Sequence, residues 1–355
     1  MGAVAHFAGN QLAAATAAGA VLAAVGQADP GPDSRGQHGL VFVATELAAA
    51  RLYRYLESHT IPQMKKMSMK KIGKPRLLVI GCGDVGMRLL PLLRDRFRVY
   101  AVTSQPARHA ELRAAGAVPL TADLDQPATL ARLARLATYI VHLAPPPAAG
   151  AVDTRTRNLA AILPEGATLV YVSTTGVYGD CGGASFDETR TVRPANPRAV
   201  RRVDAERSLR HWARRSGSRL AILRVPGIYA QDRLPLERLQ KGTPALTHAE
   251  DVYTNHIHAD DLARLIVLAL FRAAPSRIYH AVDDSEMRMG EYFDAVADAH
   301  RLPRPPRLPR EQLREVVSPM MLSFMSESRR LQNRRITEEL GMRLKYPTVA
   351  AALHS

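Results

Sequence analysis

One stretch constrains this chain more than any other: Leu77-Leu78-Val79-Ile80, then Gly81-Cys82-Gly83-Asp84-Val85-Gly86, then Met87-Arg88-Leu89-Leu90. Four apolar residues in a row suit a strand covered on both faces, and the residues after the glycines follow a helical pattern. A strand that enters a helix through Gly-x-Gly-x-x-Gly forms a phosphate cradle. Gly81 allows the tight turn, Gly83 lets the backbone approach a pyrophosphate, and Gly86 lets helix and strand pack closely. The helix N-terminus supplies amides and the positive end of a dipole. The turn Gly81, Cys82, Gly83, Asp84, Val85 and Gly86 is thus expected to bind a dinucleotide.

From Arg76 onward the chain keeps alternating. Strands are expected at Leu77–Ile80, Val99–Thr103, Tyr139–Leu143, Leu169–Ser173, Leu220–Val225 and Ile278–Val282. Helices are expected at Val85–Arg94, Ala107–Ala115, Thr129–Leu136, Thr154–Leu163, Arg198–Arg215 and Asp260–Phe271. Short apolar strands separated by amphipathic helices imply an α/β, doubly wound parallel sheet of Rossmann type. The pattern loosens after Tyr279, so a smaller irregular C-terminal lobe, drawn from about 230–255 and 284–355, is expected to bind substrate.

Cofactor selectivity is read at the end of the second strand. An acid there would bind ribose hydroxyls and favour NAD; this chain has Thr103 and Ser104, with Arg108 four residues on. Hydroxyls and an arginine suit a 2′-phosphate, which favours NADP over NAD. Asp123 faces either the adenine or a helix cap. Leu143, Ala144 and Pro145, where a strand ends, join the expected cofactor wall.

Composition narrows the class. The formal net charge of +15 invites a nucleic-acid reading, but only seven of the 48 basic residues are lysine and the charge is spread over many helices. A field that gathers anionic nucleotides accounts for it with fewer assumptions. Two cysteines, Cys82 and Cys181, make no disulfide framework, and a reducing cytoplasmic setting is the expectation. No apolar run approaches a membrane span.

Residues 1–69 differ from the rest: they are alanine- and glycine-rich at first, with no Lys or Arg before Arg35. The apolar stretch from Leu12 to Val25 lacks the basic region of a signal peptide, and His6 stands where a myristoylation signal needs Ser or Thr. Met64, Met67 and Met69 precede the basic lead-in to the first strand. The expectation is a disordered extension, or translation that starts at one of these methionines, with the fold occupying 70–355.

Several motifs then come in order. They are Val172-Ser173-Thr174-Thr175-Gly176-Val177-Tyr178-Gly179, Leu223-Arg224-Val225-Pro226-Gly227-Ile228-Tyr229 and His256-Ile257-His258-Ala259-Asp260-Asp261-Leu262-Ala263. Ser328-Arg329-Arg330-Leu331, then Glu339-Leu340-Gly341 and Tyr346-Pro347, close the series. Together they resemble the extended short-chain dehydrogenase/reductase superfamily, the NAD-dependent epimerase/dehydratase group. The resemblance implies Thr174 as the catalytic hydroxyl, Pro226 beside the nicotinamide, and Arg329 and Arg330 near the substrate. It also implies a homodimer through two helices.

The resemblance breaks at the proton chemistry. Such proteins carry Tyr-x-x-x-Lys followed by Glu; with Asp204-Ala205-Glu206 fixing the register, Arg198 replaces the tyrosine and Arg202 the lysine. Arginine stays protonated at any working pH and is no general base. Tyr178 and Tyr229, expected at strand ends facing the cofactor crevice, are candidates to supply a phenol, or else pack. Cys181 is either a thiol near substrate or a small loop residue. Arg198 and Arg202 suit clamping a phosphate or carboxylate. His256-x-His258-x-Asp260-Asp261 imitates a metallohydrolase motif, but it lacks the next histidine and reads better as a helix cap. No metal is expected. The leading reading is an NAD(P)-dependent oxidoreductase or epimerase-like protein with a small anionic carbonyl or alcohol substrate, such as a nucleotide sugar. The second is a cofactor-binding sensor or partner module without catalysis.

Overall fold

A computed structural model describes residues 73–354. The expectations about the N-terminal extension and its methionines lie outside these residues.

Seven parallel strands form one sheet. In chain order they are β1 (Arg76–Ile80), β2 (Arg98–Thr103), β3 (Val118–Thr121), β4 (Tyr139–His142), β5 (Thr168–Thr174), β6 (Arg219–Val225) and β7 (Arg277–His280). Across the sheet the order is β7-β6-β5-β4-β1-β2-β3, every adjacent pair parallel. Strand order reverses at β1, which pairs with β2 on one side and β4 on the other. In open α/β sheets that reversal leaves a crevice beyond the carboxyl ends of the strands.

Helices cover both faces: α1 (Asp84–Leu93), α2 (His109–Ala114), α3 (Thr154–Ile162), α4 (Pro197–Arg215) and α5 (Ala259–Arg272). One core cluster joins α1 and α5 to the sheet through Leu89, Leu93, Leu262 and Ile266. On the opposite face Leu159, Leu209 and Trp212 of α3 and α4 pack against Ile80, Ile140 and Ile222. A third cluster lies in the C-terminal half, with Tyr229, Leu246, Tyr292, Phe293, Val296, Leu313 and Met325.

The structure corrects the helix expected at Thr129–Leu136. A 3-10 helix spans Pro127–Leu133, because Pro127 starts it and the Thr129 hydroxyl binds back to the Asp123 and Gln126 carbonyls. It also adds β3, a half-buried edge strand containing a proline, where alternation is weak. The cap of α5 differs as well. His258 Nδ1 accepts from the Asp260 amide, while fully buried Asp261 accepts from the Lys345 and Tyr346 amides and holds the C-terminal tail.

A buried polar network ties the strand ends together. Arg224 on β6 donates from Nε and Nη2 to Glu206 of α4, at 3.1 and 2.7 Å. The Ser173 hydroxyl donates to the same carboxylate at 2.7 Å. Arg224 Nη1 also donates to the Tyr178 hydroxyl, so the tyrosine proton points to His280 Nε2, 2.6 Å away. His280 then donates from Nδ1 to the Gln332 carbonyl. Both partners of the ion pair are buried, so Glu206→Ala strands a charged guanidinium. The variant is expected to lose about 3–5 kcal/mol of stability in a urea titration; a loss under ~1 kcal/mol, typical of an exposed pair, contradicts the assignment.

Candidate functional site

Two clefts open beyond the carboxyl ends of the sheet. The first, about 360 Å³, lies over β1, β2 and β4 and is lined by Gly81, Cys82, Gly83, Thr103, Ser104, Arg108, Asp123, Ala144 and Pro145. The glycine turn has the geometry its spacing implied. Gly81 has φ +80°, and a side chain there would meet the Ala144 backbone at 2.6 Å. A side chain on Gly86 would lie 2.8 Å from Cys82 Sγ and 3.4 Å from Leu143. At Gly83, which caps α1, a Cβ would meet nothing within 4 Å. That open space beside a helix N-terminus is room for a pyrophosphate, so the residues fit a dinucleotide.

The remaining cofactor candidates have mixed surroundings. Val85 and Leu143 pack against the core, and the Cys82 thiol is buried and pushed up to about 11 by desolvation. Arg108 lines the cleft, donates to the Cys82 carbonyl at 2.5 Å and pairs with Glu111. Asp123 lines the cleft; its carboxylate accepts from the Asp125 amide in the turn before the 3-10 helix, whose N-cap is Gln126, so it is not the helix cap. Arg155, which no sequence motif marked, lines the same cleft and pairs with Asp125. Asp84 does not face this cleft; it pairs with Arg88 and Arg233.

The second cleft, about 330 Å³, lies beyond β5 and β6. It brings together Thr174, Arg198, Pro226, Tyr229 and Arg329 from the sequence candidates. Thr174 Oγ1 accepts from the Gly176 amide at 3.2 Å. The Arg198 guanidinium lies over the Phe324 ring, 4.5 Å from its centre, and pairs with no carboxylate among the described residues. Arg329 donates to Glu327 at 2.6 Å and to the Gly179 carbonyl at 2.7 Å. His256, which the sequence marked only within a motif, also lines the cleft, as do Asn196, Arg233 and Tyr292, which were not singled out from the sequence. No motif marks Asn196, Arg233 or Tyr292, because they meet only through the fold.

Four candidates lie elsewhere. Tyr178 does not face the crevice. It is buried under Phe186, its hydroxyl is held by Arg224 and His280, and burial pushes it up to about 12. Arg202 is also outside the second cleft; it donates to the Tyr171 hydroxyl at 2.9 Å and to the Val172 and Ala144 carbonyls. Cys181 lies near the Tyr178 and Gly179 carbonyls, and burial pushes its thiol up, the opposite of activation. Arg330 lines a neighbouring cleft of about 270 Å³ and pairs with Glu286. The Tyr229 ring lines the second cleft, but its hydroxyl is buried on the side of Asp283, and burial raises its pKa above the usual tyrosine value. Among the described residues, no group of three or more His, Cys, Asp or Glu could hold a metal ion. No helix there is long and apolar enough to cross a membrane.

With this geometry in view, the sequence profile of the NAD dependent epimerase/dehydratase family matches residues 77–281, more than half of the chain. The chain belongs to that family. Human dTDP-D-glucose 4,6-dehydratase is 26% identical over 126 residues, which cover 33% of this chain and 36% of the human protein. The chain thus matches about a third of that relative's length. Among solved structures, a functionally unknown conserved protein from Silicibacter pomeroyi is 29% identical with TM-score 0.66, over 79% of this chain and 97% of that one. UDP-glucose 4-epimerase of Thermotoga maritima, solved with UDP-glucose, shares the fold at 17% identity and TM-score 0.64, covering 78% of this chain and 96% of its own. A dTDP-glucose 4,6-dehydratase from Streptomyces venezuelae, solved with NAD, does so at 21% and 0.63, covering 79% and 96%.

The glycine turn and the buried histidines each give a measurable expectation. Gly83→Ala keeps the wild-type melting temperature, because its Cβ enters open space, but weakens NADPH and NADH at least ~10-fold in a nicotinamide-fluorescence titration. Unchanged binding would show that no phosphate approaches this backbone. Burial lowers His142, His256 and His280 to about 3, so the folded chain keeps them neutral while the unfolded chain protonates them. Stability is present above the ordinary histidine range and falls as pH drops through it toward 3, by up to ~1.4 kcal/mol per pH unit for each histidine. Asp283, raised to about 7 by burial, opposes with one proton between the ordinary carboxylate range and pH 7. Denaturant midpoints should fall between roughly pH 7.5 and pH 4.5, and by less in His142→Asn.

Proposed function

We propose that the chain is an NAD(P)-dependent oxidoreductase or epimerase/dehydratase-like enzyme for a small anionic carbonyl or alcohol compound, a nucleotide sugar or a similar molecule. NADP is the preferred cofactor and NAD the alternative; Ser104 and Arg108 on the first cleft support that order. The bound nicotinamide would supply hydride chemistry; the chain's own residues bind and orient.

The observation that carries this reading is Arg198. It stands on α4 where the resemblance puts the family's tyrosine, lines the cleft with Thr174, and has no carboxylate partner among the described residues. A fixed cation beside a hydroxyl suits a substrate whose phosphate or carboxylate lies close to the reacting carbon. Stacking on Phe324 holds the guanidinium plane and leaves its edge for a bidentate acceptor. Arg202 acts on the scaffold instead, because its donors hold the Ala144 and Val172 carbonyls and so fix the ends of β4 and β5 against each other.

A second reading, a cofactor-binding sensor or partner module without turnover, is favoured by the two buried phenols. Neither the Tyr178 nor the Tyr229 hydroxyl is placed to exchange a proton with a ligand in the cleft. Absorbance of the reduced nicotinamide, followed in single turnover across alcohols, ketones and nucleotide sugars, separates the two. Turnover supports the enzyme; saturable cofactor binding with no turnover across the panel supports the sensor.

Calorimetry on cofactor-loaded protein tests Arg198, with UDP-glucose, dTDP-glucose and a 2-oxo acid series as probes. Arg198→Met should weaken the binding anion ~10- to 100-fold, the value of one charge-assisted hydrogen bond or a pair. Arg198→Lys should recover part of it. Equal affinity in all three proteins would remove Arg198 from the substrate site.

A further inference from the structure

The second cleft and the glycine turn share one residue. Arg233 lines the cleft with Thr174 and Arg198, and its Nη1 donates to Asp84 Oδ2 at 2.8 Å. Asp84 is the first residue of α1, directly after Gly83. Arg233 sits at the end of a 3-10 turn, Gln231–Arg233, that follows Tyr229 out of the sheet. Its neighbour Asp232 pairs with Arg88 at 2.5 Å, and Arg88 also holds Asp84 and Asp260 at 3.2 and 2.9 Å. Two guanidiniums and three carboxylates therefore meet where α1 begins, leaving one negative charge in excess. An acid at a helix N-terminus is favourable when nothing else is bound there. A pyrophosphate brings further negative charge to the same helix end, and Asp84 then opposes it.

We propose that Arg233 exchanges partners: a dinucleotide on the glycine turn takes its guanidinium from Asp84 to the pyrophosphate, so that cofactor binding fixes a wall of the substrate cleft. The idea rests on the cofactor reading above. Three features support it. The Arg233 and Asp84 side chains are 36% and 35% exposed, so their ion pair is weak and exchangeable. An arginine gains more from a bidentate phosphate than from one carboxylate oxygen. Arg88 keeps Asp84, Asp232 and Asp260 in place when Arg233 leaves, so the exchange does not dismantle the contact between α1, the 231–233 turn and α5. Linkage makes the effect mutual: an anion that engages Arg233 from the cleft side changes cofactor affinity by the factor the cofactor changes its own.

The test uses the full chain and NADPH or NADH, read by nicotinamide fluorescence. If wild-type protein binds neither, the cofactor reading fails, and with it the basis for this inference. Given wild-type binding, Asp84→Asn should tighten the cofactor ~10-fold by removing both the competing partner and the repulsion. Arg233→Met should weaken it, and by a larger factor in the Asp84→Asn background, where the arginine gives nothing up. Arg233→Lys should restore part of the loss, and adenosine, which has no phosphate, should bind all variants alike. Hydrogen exchange supplies the second readout: NADPH should slow amide exchange across 230–236 in wild type and not in Arg233→Met. The proposal is overturned if both single variants bind NADPH as wild type does, or if exchange across 230–236 ignores the cofactor.

Discussion

The pairing of Arg224 with Glu206 holds the carboxyl end of the sheet in register with α4. Both side chains are more than nine-tenths buried, and each faces the opposite charge of the other, with Ser173, Arg210 and Tyr178 adding further hydrogen bonds. Such a pair adds little net stability over apolar residues of the same shape, yet breaking it is costly. Its effect is positional. Glu206, Arg202 and Arg198 follow one another at four-residue spacing along α4, so anchoring Glu206 at the sheet sets the rotation of the whole helix. Arg202 then reaches the ends of β4 and β5, and Arg198 reaches the cleft beside Thr174. His280 extends the network twice, from its ring to the Gln332 carbonyl and from its amide to Glu188, which pairs with Arg335, so the C-terminal segment is bound to the same strand ends.

Within that frame the site favours fixed charge over mobile protons. Arginines hold the positions at which the resemblance puts a tyrosine and a lysine, and arginine binds anions without exchanging protons. The three low-titrating histidines are buried and neutral, and the two phenols that the sequence offered as substitutes have hydroxyls turned into the core. The second cleft therefore presents fixed positive charge in place of a titrating phenol. Arg198 and Arg233 face the cleft from separate elements, one from α4 and one from the turn after Tyr229.

The parallel sheet was legible because its strands are buried on both faces and therefore read as unbroken apolar runs; six of the seven were recognised from that signal alone. β3 escaped as a strand because it is short, lies at the edge and contains Pro119. The helix expected after it became a 3-10 turn because Thr129 satisfies backbone groups locally, a competition that apolar spacing does not register. At the site, Thr174 and Arg198 were found through motif order. Tyr178 was misplaced because a strand-end position says nothing about which way the next turn points the ring.

The local steps of this protein were therefore determined by sequence: strand, glycine turn and helix at the start, then strand and helix in alternation across the sheet. Each of those steps depends on neighbours a few residues apart, where periodicity and glycine stereochemistry act directly. Only the tertiary structure decided which side chains share a cleft. Arg233 and Asp84 are 149 residues apart, and Tyr178 and His280 are 102 apart. Contacts over such separations are set by how helices rotate on the sheet and how the C-terminal segment returns to it, and no local pattern encodes them.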